Sequence, residues 1–174
     1  MHLQSERLLL RPAAASDIDA LFRIYGDPAT NMFNPAGPHA NIAHSRRVLD
    51  GWLEHLQHYG FGNWAISLHN HPSHIIGFGG LRIVEYPDCT VNNLGYRFAP
   101  EAWGKGLASE FSLLAIDYAF NTLKLEEVVG IVRKNHHASQ KVLLKCGLTL
   151  VREIDDVPGS EPSLMFMRRR ESQA

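Results

Sequence analysis

Leu94-Gly95-Tyr96-Arg97-Phe98-Ala99-Pro100-Glu101-Ala102-Trp103-Gly104-Lys105-Gly106-Leu107-Ala108 is the stretch from which the fold can be read. Leu94 to Phe98 has the composition of a strand and Pro100 ends it. From about Ala108 the residues Phe111, Leu114, Ala115, Tyr118 and Ala119 recur at helical spacing. Two glycines therefore stand at the head of a helix. A turn there directs unpaired backbone N–H groups and the positive end of the helix dipole outward, which suits a pyrophosphate. Glycine at 104 and 106 removes the Cβ that would hold a phosphate away, and Lys105 adds a positive charge. A dinucleotide fingerprint would need a third glycine where Ser109 stands, and a P-loop would need Ser or Thr after the lysine, so neither motif is present. Taken alone, Gly-x-Gly also fits a plain tight connection between strand and helix.

Working outward, the chain opens with a short strand, Arg7-Leu8-Leu9-Leu10-Arg11-Pro12, followed by a helix capped at Ser16-Asp17 and carrying Ile18, Leu21, Phe22 and Tyr25. A loop from Asp27 to Asn41 precedes a second helix with Val48, Leu49, Trp52, Leu53 and Leu56 on one face, stopping near Gly60. Trp64 to Leu68 and Ile75 to Leu81 read as a hairpin whose turn holds His69, Asn70, His71, Pro72 and Ser73. Downstream, Val128 to Val132 is apolar without alternation, as in a strand covered on both faces. A helix with Ala138, Val142, Leu143 and Cys146 runs from there to Gly147. Leu148 to Ile154 and Ser163 to Met167 supply the last strands. The pattern predicts one α/β domain over residues 1–174, with hairpins giving way to a βαβ unit.

Composition removes several classes of function. Seventeen Lys and Arg against eighteen Asp and Glu give a net charge of -1, so no basic field gathers nucleic acid, and Arg168-Arg169-Arg170 reads as a solvated tail. Two cysteines form no disulfide framework and no metal pattern, which points to a reducing cytoplasm. No apolar run has the length of a membrane span, and the first residues lack the apolar core of a signal peptide. Histidines at 69, 71 and 74, and the pair His136-His137, lie on a turn and a loop rather than on converging elements, so no metal is expected.

Trp103-Gly104-Lys105-Gly106-Leu107-Ala108-Ser109-Glu110 resembles the acetyl-CoA motif of the GNAT superfamily of N-acetyltransferases, in the branch of the RimJ/RimL ribosomal-protein N-terminal acetyltransferases. Ser5 to Pro12 is similar to that branch's first strand, and Tyr59 to Ile66 with Ile76 to Leu81 to its central hairpin. Ala138-Ser139-Gln140-Lys141-Val142-Leu143-Leu144-Lys145-Cys146-Gly147-Leu148 is similar to its last helix and turn. The segments occur in the family's order from about Ser5 to Leu148. The resemblance implies a mixed, mostly antiparallel sheet of six to seven strands flanked by about four helices. It implies acetyl-CoA as cosubstrate, with no metal, and an acceptor that is a small amine or a protein N-terminus. A homodimer is compatible with it.

By the same resemblance, pantetheine lies between the strand ending at Phe98 and the strand Val128 to Val132, touching Tyr96, Arg97, Phe98, Asn135, His136 and Ser139. Pyrophosphate meets the amides of Gly104, Lys105, Gly106, Leu107 and Ala108, and Trp103 and Ser109 are further cofactor-binding residues. Amine attacks the thioester directly, a backbone N–H near Phe98 meets the oxyanion, and Ser139 donates to the sulfur or else serves as a helix N-cap. The sequence departs from the family at His136, where Asn is usual, and at Asn93, where a carboxylate is often found. His136 is a candidate base or an exposed loop residue, and Glu101, Glu153, Asp155 and Glu161 are acidic candidates by composition only. An α-amine, with a pKa of about 7.7 to 8.0, is roughly one-tenth neutral at pH 7, whereas lysine at about 10.4 is almost wholly charged. The missing carboxylate thus favours α-amines or small amines of low pKa. A non-catalytic acyl-CoA sensor, or a partner-binding protein of the same fold, is the competing reading.

Overall fold

Leu10 and Ile66 stand opposite each other on adjacent strands and are wholly buried, and the sheet extends from that pairing in the computed structural model, which describes residues 1–172. The strands are β1 (Leu3–Gln4), β2 (Leu8–Pro12), β3 (Asn63–Leu68), β4 (His71–Tyr86), β5 (Cys89–Phe98), β6 (Glu127–Val132), β7 (Thr149–Ile154) and β8 (Ser163–Arg169). Their order across the sheet is β1-β2-β3-β4-β5-β6-β8-β7, antiparallel throughout except between β5 and β6. Four helices accompany them: α1 (Ile18–Tyr25), α2 (Ile42–Tyr59), α3 (Leu107–Asp117) and α4 (His137–Lys145).

Eight strands exceed the six to seven expected. Two-residue β1, paired through Leu3 with Leu10 and Gln4 with Leu9, is too short to show a periodicity. The hairpin turn is also tighter than expected. His71, Pro72 and Ser73 belong to β4, because register shifts at Ile66, Ser67 and Leu68 carry the pairing on to His71. Arg168 and Arg169 end β8 instead of forming a tail, with Arg168 donating to the Cys146 carbonyl at 2.9 Å and Arg170 to Glu126 at 2.7 Å. Asp17 does sit at the head of α1, but its carboxylate is drawn backward to Arg11, at 2.7 Å, and to the Ala14 amide, at 2.8 Å.

Helices α1 and α2 cover one face of the sheet, where Leu21, Ile24, Leu49 and Trp52 bury Phe78 of β4. Helices α3 and α4 cover the other, where Phe111, Ala115 and Leu143 meet Leu8, Leu10, Leu81 and Leu94. Gly130 lets α4 press against β6, since a Cβ there would lie 2.7 Å from a methyl of Leu143. Side chains alternate along β5, so Leu94 and Phe98 join the α3 and α4 side while Arg97 projects towards α1. At the parallel junction, Asn93 with Val129 is the single registered pair. Beyond it β5 continues to Phe98 paired only with β4, and β6 to Val132 paired only with β8. The sheet parts there, at its centre.

Candidate active site

The turn at the mouth of this parting has the geometry that the two glycines imply. Gly104 and Gly106 hold φ of 74° and 75°, in the left-handed region that a side chain resists, and Gly106 heads α3 with no side chain capping the helix. No atom lies within 4 Å of a Cβ placed on Gly104, and only a guanidinium nitrogen of Arg7, at 3.7 Å, lies that near one on Gly106. The first α3 amides, from Leu107 to Ser109, therefore face outward from the start of the helix. Lys105 turns back, its Nζ donating to the Glu101 carbonyl at 2.8 Å. The indole of Trp103, half exposed, donates to the Phe98 carbonyl at 2.9 Å and ties the turn to the end of β5.

A second tie was not anticipated from the sequence. Arg7 donates from one guanidinium nitrogen to the Lys105 carbonyl at 2.8 Å and from Nε to Glu110 at 2.7 Å. Glu110 also accepts from the Arg7 amide at 2.9 Å and from the Ser5 hydroxyl at 2.5 Å. Burial pushes the Glu110 carboxyl upward, but those donors outweigh it and hold it below the usual range. The Ser5-Glu6-Arg7 segment thus braces the glycine turn from about a hundred residues away in sequence, and a carboxylate sits in the first turn of α3, where the helix dipole favours it.

Inside the parting, the amide directions follow from the ladder. The Ala99 N–H bonds the Ile76 carbonyl at 2.8 Å, so the Phe98 N–H, one residue earlier, points the opposite way, into the gap between β5 and β6. Tyr96, two residues before Phe98, directs its amide to the same edge. Across the gap, Ser139 occupies the third position of α4, and its hydroxyl lies 3.1 Å from that of Tyr96. His136, not Ser139, is the N-cap of α4. Burial raises the Tyr96 phenol despite the bond from Ser139, so it remains a proton donor near neutral pH.

His136 is half-buried rather than an exposed loop residue, stacked on Phe33 with ring centres 4.0 Å apart and planes 9° apart. Burial, then the charge of Arg97, lowers its pKa. Asn135 is exposed at the turn before it. Arg97 is not where the sequence reading put it. Its side chain leaves the cofactor face, donates to Asn31 Oδ1 at 2.9 Å and lies 4.4 Å over the Tyr25 ring. Strand alternation forces this separation from Tyr96 and Phe98. Ser109 is buried, with its carbonyl 3.7 Å from Cys146 Sγ, and Cys146 is a core residue. Glu101 pairs with His74 at 2.7 Å, and Glu153 with Lys134 at 2.7 Å; Glu161 also approaches Lys134, at 3.5 Å. All three are more than half exposed. Among the described residues no group of three or more His, Cys, Asp or Glu is placed to hold a metal ion.

An uncapped, glycine-lined helix start thus opens onto a parted sheet, with inward amides on one wall and hydroxyls on both. The family described as "Acetyltransferase (GNAT) domain" matches residues 7–149, and the chain belongs to it. A Bacillus licheniformis protein named as the uncharacterized N-acetyltransferase p20 is 27% identical over 141 residues, covering 81% of this chain and 78% of its own length. An acetyltransferase structure from Agrobacterium tumefaciens is 26% identical with a TM-score of 0.80, over 98% of this chain and 95% of that one. The ribosomal L7/L12 α-N-protein acetyltransferase RimL, solved in complex with coenzyme A, shares the fold at 18% identity and a TM-score of 0.80, with 98% of each chain covered. The protein is an N-acetyltransferase.

Proposed function

We propose that this chain transfers acetyl from acetyl-CoA to a primary amine, a small amine or a protein N-terminal α-amine, by direct attack. The observation that carries the reading is the Tyr96–Ser139 hydroxyl pair facing the inward amides of β5 within the parted sheet. The residues fit the substrate: the amides of Gly104 to Ala108 receive pyrophosphate, and pantetheine runs along the unpaired edge of β5 past Phe98 and Tyr96. An inward amide of that edge, Phe98 in the first instance, stabilises the oxyanion. The amine's lone pair forms the new C–N bond, the C–S bond breaks, and the departing thiolate takes a proton from the Ser139–Tyr96 pair. The amine's own proton passes to solvent or to His136, whose lowered pKa keeps the ring neutral at pH 7.

Thiol release from acetyl-CoA, measured against peptide N-termini, amino acids, polyamines and aminoglycosides, tests this. Turnover is expected with at least one acceptor class. Gly106→Trp, which fills the helix start, should abolish it, and Ser139→Ala should lower kcat about 10- to 100-fold. Tight binding of acetyl-CoA without turnover on any amine would replace the enzyme with a sensor.

A further inference from the structure

Two elements that flank the parting are joined by one loop, the connection between α1 and α2. On the β5 side, Arg97 donates to Asn31 Oδ1 at 2.9 Å, and Asn31 is itself held by the Tyr25 and Asp27 carbonyls, each 2.9 Å from its Nδ2. Asn34 fixes the next turn, donating to Asn31 Oδ1 at 3.0 Å and to the Gly37 carbonyl at 3.1 Å. Phe33 lies between these two pinned asparagines, and its ring stacks on that of His136 at the head of α4. The loop therefore spans the gap between β5 and the segment that follows β6, from the side of α1. Tyr96 packs on Phe111 of α3, so the Tyr96–Ser139 pair lies at the other face.

His136 stands level with the Phe98 end of β5. The two strands run parallel from the Asn93–Val129 pair, so four residues on Arg97 corresponds to Arg133, and the His136 amide returns to the Arg133 carbonyl at 3.0 Å. The charge of Arg97, the neighbour of Phe98, reaches the ring. Among the described residues no hydrogen bond is made to either ring nitrogen, and neither nitrogen is shut away from solvent. The imidazole is thus gripped by its face with its edges free, an arrangement suited to proton exchange.

Other titratable groups nearby are engaged elsewhere. Before α4, Arg133 pairs with Asp156 at 3.5 Å and Lys134 with Glu153 at 2.7 Å, while His137 is exposed. On the loop, Asp27 accepts from the Ala29 amide at 2.9 Å, and His39 bonds the Ser45 hydroxyl at 2.7 Å. Burial and the Arg97 charge disfavour an imidazolium at position 136, whereas a phenyl face attracts one. The first two prevail, and Phe33 covers one face of the ring.

We propose that Phe33 is a positioning residue for acetyl transfer: by stacking on His136 it holds that ring at the amine side of the parting, where a ring nitrogen takes the proton that the attacking amine loses. The assignment rests on the acetyl-transfer reading above and selects His136 over solvent as the first proton acceptor. The amine nitrogen forms the C–N bond and gives its proton to the imidazole. The C–S bond breaks, and the thiolate is protonated from the Ser139–Tyr96 pair on the other face. Solvent then resets both groups.

Two measurements test this together. kcat is followed against pH at saturating acetyl-CoA and amine, and the His136 ring is titrated by NMR in the CoA-loaded protein, its signals identified by their absence from His136→Asn. The acceptor's own ionisation is common to every variant, so differences between variants belong to the protein. In the unaltered protein kcat is expected to break where the ring titrates. Phe33→Ala, which admits water to the ring, should move break and titration upward together, towards the ordinary value of about 6.5. It should also lower kcat about tenfold above the break while changing KM for acetyl-CoA about twofold or less. Phe33→Tyr keeps the stack and should restore both. His136→Asn should remove the break and lower kcat about a hundredfold. A ring that titrates in Phe33→Ala as in the unaltered protein, or a break that stays put or falls, would overturn the proposal. So would an unchanged kcat in His136→Asn; in these cases the enzyme itself still stands. Absence of thiol release with every amine would instead overturn the transfer reading, and this role with it.

Discussion

His39 sits in the loop between α1 and α2, with its Nδ1 2.7 Å from the Ser45 hydroxyl and its ring 5.4 Å from that of Tyr25 and 4.3 Å from that of His44. Burial first, then the charges of His44 and Arg97, lowers its pKa from 6.5 to about 4. The unfolded chain therefore binds a proton that the folded chain refuses, and between those two values stability must fall as pH falls. Melting temperature measured from pH 7 down to pH 4 should show that decline, and His39→Gln should flatten the part due to this ring. Little of this residue chemistry was legible beforehand. His39 stands in a loop without periodicity, and its neighbours come from two helices and a strand. Arg97 was misplaced because a motif assigns residues by position in the chain, whereas a strand sends neighbours to opposite faces.

At the scale of elements, the glycine turn is held by the connection between β1 and β2, which precedes it by about a hundred residues. Arg7 and Glu110 are mutually satisfied, and together they anchor the Lys105 carbonyl, so they set how the α3 amides meet a ligand. Removing either partner should loosen the turn rather than alter the reacting groups. Arg7→Ala and Glu110→Gln are thus expected to raise KM for acetyl-CoA several-fold while changing kcat less, as steady-state kinetics with saturating amine would show. Equal falls in kcat and kcat/KM would mean that the brace acts on the reacting groups instead. The turn and its helix were plain in the sequence because local composition determines both: glycines at positive φ, then an apolar stripe. The brace was not, although its three residues lie in segments already noted, because contacts between distant segments leave no mark in local spacing.

For the molecule as a whole, the order of strands and helices was readable and the depth of the opening was not. Apolar runs and turn residues locate each element, but the number of rungs shared by β5 and β6 depends on α4 closing over Gly130 and on β8 claiming the far edge of β6. One consequence of that truncated parallel ladder can be observed without substrate turnover. Amide protons of Tyr96 and Phe98 lack a strand partner, whereas those of Gly95 and Arg97 lie in the ladder with β4. Deuterium uptake along β5 should therefore alternate, fast at Tyr96 and Phe98 and slow at Gly95 and Arg97, within a single strand at the centre of the sheet. Coenzyme A should slow the fast pair and leave the slow pair as it was. A strand with one protected and one labile edge is an unfinished sheet, and a ligand that slows the fast pair would supply its missing hydrogen-bonding partner.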